Sequence, residues 1–363
     1  MRIGIVGCGD VAYRHYLPAL AAMAGTVQLA AVADPRDGAA ATMARSTKAW
    51  SPGAAPFADA QTMLASTTLH GVFNLTPAPR HGEVNRTILE AGVACYSEKP
   101  LASSVAEADA LIDLAARKGA LFMCAPGSAV SGRIRWLKEL VTSGRLGRPT
   151  LAVAHHADPG PADWAEYTGD PTLFYQRGVG PVFDHGVYRL HEMTAVLGPV
   201  QRVQAMGTIA LPQRIDRSSG PRRGGTIEVT TSDHMLIQLE FRSGALGQLL
   251  ASFATADTLA PWLELHLERG VVSLGGRSWE PDIPINVFDA SNGAEEGTWQ
   301  PATGVPVDDG RVVEQGARHF IRCLAEVEAP ILTAQHARHV LEVILAAYES
   351  IESCCAVEIA TTF

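Results

Sequence analysis

The sequence has no excess of basic residues, no apolar run long enough to cross a bilayer, no cysteines at ligand spacing and no internal repeat or low-complexity tract. Each absence removes a class of function. Lysine and arginine number 29 against 38 aspartate and glutamate, a formal net charge of −9. A nucleic acid or an anionic membrane needs a basic face, so neither is expected as a partner. Arg214, Arg217, Arg222 and Arg223 do cluster, but Pro, Ser and Gly lie among them and the segment reads as a solvated loop. Spanning a bilayer takes about 20 apolar residues, and Met1 leads straight into a strand pattern without the layout of a signal peptide. The expected location is the cytoplasm. The six cysteines, Cys8, Cys95, Cys124, Cys323, Cys354 and Cys355, form no C-x-x-C or Cys/His pattern; they read as free thiols, and no metal site is expected.

What remains is a chain of 363 residues, 47% hydrophobic and 18% charged. Single cores stop growing at about 250–300 residues, so two domains are expected, residues 1–125 and 126–363. In the first, short apolar runs at 3–6, 27–33, 69–75, 93–96 and 121–124 alternate with helix-length segments at 11–24, 80–91 and 103–118. This alternation predicts an α/β fold with a doubly wound parallel sheet, whose ligands bind at the carboxyl ends of the strands.

The first turn reads Gly7-Cys8-Gly9-Asp10-Val11-Ala12, a G-x-G-x-x-A pattern placed after a strand and before a helix. Gly7 makes the tight turn, Gly9 lets a pyrophosphate approach the backbone, and Ala12 allows close packing of helix on strand. The amides of Cys8 to Val11 then face the phosphates. Asp34 ends the second strand, where a carboxylate bonds ribose hydroxyls and repels a 2′-phosphate; this favours NAD. Arg36, two residues on, is placed to accommodate NADP, and Asp34 also reads as a simple helix cap before Pro35. Thr76-Pro77 and His81 border the ribose and nicotinamide side, His81 reading equally as a surface histidine. Glu98-Lys99-Pro100 follows the strand pattern ending at Ser97. An ammonium there can donate a hydrogen bond to a carbonyl oxygen as negative charge develops on it.

Gly7 to Ala12, Asp34, Thr76-Pro77 with His81, and Glu98-Lys99-Pro100 together resemble the glucose-fructose oxidoreductase, inositol dehydrogenase and rhizopine catabolism (Gfo/Idh/MocA) family. The resemblance continues through Ala91-Gly92, Gly144-Arg145-Leu146-Gly147-Arg148-Pro149 and residues 178–198. It implies a Rossmann domain followed by an α/β domain with a large open, mostly antiparallel mixed sheet. It also implies NAD(P)-dependent hydride transfer on a polyhydroxylated small molecule, a sugar, cyclitol or related alcohol or ketone, and a homodimer or homotetramer. Two other activities occur on this family's fold: a non-catalytic dinucleotide-binding regulator, and a glycosidase that oxidises and re-reduces its sugar with bound NAD.

In the second domain, Pro181 and Gly198-Pro199 bracket a helix of about 15 residues. Asp184, Tyr188 and His191, at i, i+4 and i+7, share one of its faces. The family's common pattern is D-x-G-x-H-x-x-D. Asp184 and Gly186 match it, but Tyr188 stands where the histidine is expected and His191 where the second aspartate is expected. The sequence resembles a branch in which tyrosine takes the acid's place. A phenol of pKa about 10 suits protonation of an alkoxide, with Lys99 assisting and Asp184 orienting the substrate; His185 and His191 are the competing proton carriers. Tyr13, His156, Trp164 and Tyr175 are further substrate-contact candidates. Met235, Ile237, Leu239 and Phe241 alternate with Leu236, Gln238 and Glu240, and Arg242-Ser243-Gly244 turns the chain into residues 245–253, predicting a hairpin.

Overall fold

Strand β1 (Arg2–Val6) is apolar or glycine after its first residue and buries those four positions, which is the pattern of a strand covered on both faces. The computed structural model describes residues 1–276, 284–291, 293 and 297–363. Two compact units emerge, one of Met1–Ser131 with Asp309–Leu341, the other of Gly132–Asp308 with Glu342–Phe363.

In the first unit, β1 is joined by β2 (Gln28–Ala33), β3 (Ala55–Phe57), β4 (Gly71–Asn74), β5 (Ala94–Ser97) and β6 (Phe122–Cys124). All neighbours are parallel, in the order β3-β2-β1-β4-β5-β6. The order reverses between β1 and β4, the switch point at which doubly wound sheets open a crevice. The helices are α1 (Leu17–Ala21), α2 (Ala39–Ser46), α3 (Ala60–Ser66), α4 (His81–Glu90) and α5 (Val105–Lys118). Ser104 caps α5 by accepting from the Glu107 amide, and Gly119 ends it at φ 61°. The segment before α1 is a π turn, Ala12–Tyr16. Tyr16, Phe73, Tyr96 and Phe320 form an aromatic cluster with centroid separations between 5.1 and 6.3 Å. Phe320 belongs to a helix from the far end of the chain, which completes this unit's core.

The second unit begins with α6 (Gly132–Thr142) and is built on β7 (Pro149–Ala157), β8 (Val200–Thr208), β11 (His234–Phe241), β12 (Leu246–Ser252), β13 (Leu263–Leu267), β14 (Gly270–Leu274), β15 (Ile285–Asp289), β16 (Thr298–Pro301) and β17 (Val357–Glu358). Their order is β16-β15-β14-β13-β7-β12-β11-β8-β17, while β9 (Gln213–Ile215) and β10 (Thr226–Glu228) pair separately. Within this sheet only the β7–β12 pair is parallel among the described strands, so it is mixed and mostly antiparallel. Along β11 the period of two holds: Met235, Ile237, Leu239 and Phe241 are buried, and Leu236 and Gln238 are exposed. Helix α7 (Val187–Leu197) and the turn before it pack on the buried face against β7 and β12. Helix α8 (Val312–Leu324) lies in the first unit, and α9 (Ala334–Ser353) runs across the boundary. The α/β class with a Rossmann-like sheet is as the sequence pattern predicts, and the second, mostly antiparallel sheet is as the family resemblance implies. No helix among the described residues is long and apolar enough to cross a membrane.

Candidate active site

The glycine turn is dictated by its neighbours. Gly7 has φ 99°, and a Cβ there would lie 2.6 Å from the carbonyl of Leu75, so only glycine fits. A Cβ on Gly9 would meet nothing within 4 Å, leaving its backbone open to a bulky group such as a pyrophosphate. Asp10 opens the helix that follows and pairs with Arg14 at 2.6 Å; Val11 is half-buried and Ala12 is wholly buried. Asp34, at the end of β2, accepts from the Cys8 amide at 2.8 Å and from the Arg36 amide at 2.9 Å. The Arg36 guanidinium binds the same carboxylate through both oxygens and reaches the Cys8 carbonyl at 3.0 Å. Burial opposes ionisation of Asp34, but these hydrogen bonds outweigh it and hold its carboxyl below the usual range. Burial, then the Asp34 charge, pushes the Cys8 thiol up to about 12, with Arg36 opposing. Tyr13 is 38% exposed on the helical turn beyond.

The Lys99 loop is anchored by groups distant in sequence. Glu98 is buried; its carboxylate accepts from the Tyr16 hydroxyl at 2.6 Å and from the Lys99 amide at 3.0 Å. It therefore ties the helix after the glycine turn to the lysine loop. His81 spends both ring nitrogens on main-chain carbonyls, Nδ1 on Pro100 and Nε2 on Thr76, each at 2.7 Å. Burial draws its pKa below the ordinary value, with the two carbonyls opposing. Beneath them lies a buried network that sequence reasoning missed. Asn74 accepts from the Thr76 hydroxyl at 2.6 Å and donates to Asn85 at 2.8 Å; Asn85 donates to Ser97 at 2.9 Å and to the Leu101 carbonyl at 3.0 Å. Asparagines inside a strand and a helix were the available signal, since buried amides need partners. The network sets the Thr76-Pro77 loop and the Lys99 loop side by side at the carboxyl ends of β4 and β5.

In the second unit, Asp184 and His185 lie in a π turn, Val182–Gly186, which runs directly into α7 with Tyr188 and His191. A continuous α-helix was the expectation; the wider turn arises where such insertions recur, at functional segments. All four side chains are buried. The His185 ring stacks on His156 at 3.9 Å and 29°, and on Trp164 at 4.9 Å and 14°. Its Nδ1 stands 3.4 Å from Asp158 and its Nε2 3.4 Å from Asp184. The His156 and Tyr188 ring centroids are 6.5 Å apart. Thus Asp184, His185, Tyr188, His156 and Trp164 are gathered in one cluster, joined by Asp158, which sequence reasoning missed although it lies two residues beyond His156 along the same edge. Tyr175 lies instead in an apolar cluster with Ala162, Ile227, Val229 and Phe253, its hydroxyl accepting from the Ala162 amide at 3.0 Å. Helix α7 is rooted by a buried ion pair, Arg189 with Glu192 at 2.7 Å, the guanidinium lying 4.1 Å over Trp262.

A dinucleotide turn, an acidic strand end and a lysine loop on one parallel sheet, with a second unit built on an open mixed sheet, invite comparison with known proteins. The family model described as an oxidoreductase family with an NAD-binding Rossmann fold matches residues 1–125, and the GFO/IDH/MocA C-terminal domain matches residues 134–273. The chain belongs to the Gfo/Idh/MocA family. That family model is one of oxidoreductases, and it gives residues 1–125 an NAD-binding Rossmann fold. Among Gfo/Idh/MocA relatives, dTDP-3,4-didehydro-2,6-dideoxy-alpha-D-glucose 3-reductase of Streptomyces violaceoruber is 28% identical over 209 residues, 56% of this chain and 56% of that protein. The chain thus matches little more than half the length of that relative. D-glucoside 3-dehydrogenase of Escherichia coli is 24% identical over 368 residues, 99% of this chain and 97% of that protein. The solved structure of levoglucosan dehydrogenase in complex with NADH and L-sorbose shares the fold, with a TM-score of 0.81 at 19% identity, covering 99% of each chain.

Proposed function

We propose that this Gfo/Idh/MocA oxidoreductase moves a hydride between nicotinamide and a secondary alcohol or ketone carbon of a sugar, cyclitol or related polyol. Bound nicotinamide supplies or accepts the hydride at C4, with NAD as the main cofactor and NADP admitted through Arg36. The observation that carries this reading is the Lys99 loop, held at the carboxyl end of β5 by Glu98 and by His81, on the same strand ends as the glycine turn. In reduction, the Lys99 ammonium donates a hydrogen bond to the substrate oxygen as it gains charge. Tyr188 passes its proton to that oxygen, so that ketone, hydride and proton together give the alcohol. Asp184 accepts from a neighbouring substrate hydroxyl and fixes its orientation. His156, Trp164, His185 and His191 wall the substrate, aromatic faces suiting the C–H surface of a sugar ring. The names of the relatives, reductases and dehydrogenases of sugars, support this substrate class.

The test is a panel of sugars, inositols and keto-sugars followed by absorbance of the reduced cofactor. Stereospecific turnover of at least one member is expected; cofactor binding with no turnover on any would overturn the proposal. We further propose a homodimer or homotetramer built on the exposed face of the large sheet, where Met206 (76% exposed) pairs with Leu236 (42%) and Leu246 (55%) lies further along the same face, opposite Glu240. Sedimentation velocity tests this: a monomer at micromolar concentration counts against it. We place the reaction in the cytoplasm, where free thiols such as buried Cys95 and Cys124 persist.

A further inference from the structure

His156 and Asp158 stand at the end of β7, and His185 faces them from the π turn before α7. One donor atom from each of the three lies within 4.8 Å of the others. Two atoms bonded to one tetrahedral ion at about 2.0–2.1 Å are about 3.3 Å apart; Asp158 Oδ2 and His185 Nδ1 already stand at 3.4 Å. The Gly160 amide donates to Asp158 Oδ1 at 2.7 Å, which orients the carboxylate and turns Oδ2 to the imidazole. The other nitrogen of His185 faces Asp184 at 3.4 Å. An outer carboxylate on the far nitrogen is how metal-bound imidazoles are held in one tautomer and orientation.

We infer that His156, Asp158 and His185 form a binding site for a divalent transition-metal ion, with Zn2+ the best match. Two imidazole nitrogens and one carboxylate oxygen, leaving a fourth position open, are a donor set that zinc accepts in tetrahedral geometry. The same set discriminates against Mg2+ and Ca2+, which take six or more oxygens. An ion here clamps the end of β7 to the turn that presents Asp184 and leads into Tyr188. Loading also has a structural signature. Two imidazoles sharing a tetrahedral ion hold their centroids about 5 Å apart, whereas His156 and His185 stack at 3.9 Å. Binding therefore parts this stack by about 1 Å, while Trp164, stacked on His185, reports the change by its fluorescence.

The experiment uses the full chain carrying Cys354→Ser and Cys355→Ser, since these two thiols are exposed and would bind zinc on their own. After chelator treatment and dialysis, ZnCl2 is titrated by calorimetry and by tryptophan emission. One equivalent is expected to bind, with a change in emission that Trp164→Phe removes without altering the stoichiometry. His156→Gln and, separately, Asp158→Asn are each expected to weaken binding at least tenfold, while NADH affinity, measured in parallel, reports that the variants are folded. Co2+ gives a second readout on the unsubstituted cluster: intense visible bands of tetrahedral cobalt are expected. Absence of a one-equivalent site, zinc affinity unchanged in both variants, or only the weak bands of octahedral cobalt would each overturn the inference.

Discussion

The guanidinium of Arg36 grips the carboxylate of Asp34 through both oxygens, Nε to Oδ1 at 2.9 Å and Nη2 to Oδ2 at 2.8 Å. A carboxylate so occupied still carries its charge, yet the cation that neutralises it is the group best suited to a 2′-phosphate. Arg36→Ala is therefore expected to weaken NADPH binding about tenfold, a change of ~1.4 kcal/mol, and NADH binding much less. Asp34→Ala should do the reverse. Dissociation constants for both reduced cofactors, measured by fluorescence, decide this; equal effects on the two would assign Arg36 a purely structural part.

On the proposed mechanism Lys99→Met removes the positive donor to the developing alkoxide, so turnover should fall by at least ~100-fold in kcat. Its amide still donates to Glu98, so the loop keeps its anchor. NADH affinity within about threefold of the parent, alongside the lost turnover, is the expected pair of results; a variant of full activity removes Lys99 from the reaction.

Tyr188→Phe keeps the ring that packs in the His156 cluster and deletes only the hydroxyl. A lost general acid costs about 10²–10⁴ in rate. The expected signature is a fall of that size in kcat with little change in KM, read by steady-state kinetics on whichever substrate the panel identifies. A change confined to KM would make Tyr188 a substrate contact instead.

The buried pair Arg189–Glu192 roots α7, and breaking it from one side strands a charge. Burial already draws the Arg189 pKa down, with Glu192 opposing. Glu192→Ala should destabilise the second unit by about 3–5 kcal/mol, whereas Arg189→Met with Glu192→Leu, which removes both charges, should cost far less. Denaturant melts of the three proteins test this order, and equal losses would refute it.

Cys8, buried beside Asp34, has its thiol pushed from 9.0 to about 12. Thiolates, not thiols, alkylate. Three pH units leave Cys8 about a thousandfold less thiolate than an ordinary cysteine at pH 8, so iodoacetamide should modify exposed Cys354 and Cys355 first, as peptide mass spectrometry would show. The sign for stability follows. The native state holds this proton to a higher pH than the unfolded chain, so the contribution is complete below pH 9 and is lost as pH rises from 9 towards 12.

Local pattern was enough for the parallel sheet, the glycine turn, the hairpin at β11 and β12, and the end of β2 at Asp34, because alternation and turn chemistry act over a few residues. Short β3, only Ala55–Phe57, had too little apolar run to be seen. The π turns at Ala12–Tyr16 and Val182–Gly186 were also hidden, since one added residue per turn leaves no compositional mark. Only tertiary structure decided that Glu98 meets Tyr16, 82 positions away, that His81 bonds two main-chain carbonyls, that His185 stands between Asp158 and Asp184, and that Asp309–Leu341 packs with the first unit. The physical reason is that sequence spacing governs which face of a strand or helix a side chain takes. Which distant group it then meets depends on how whole elements pack, and that is set by the fit of buried surfaces rather than by any local motif.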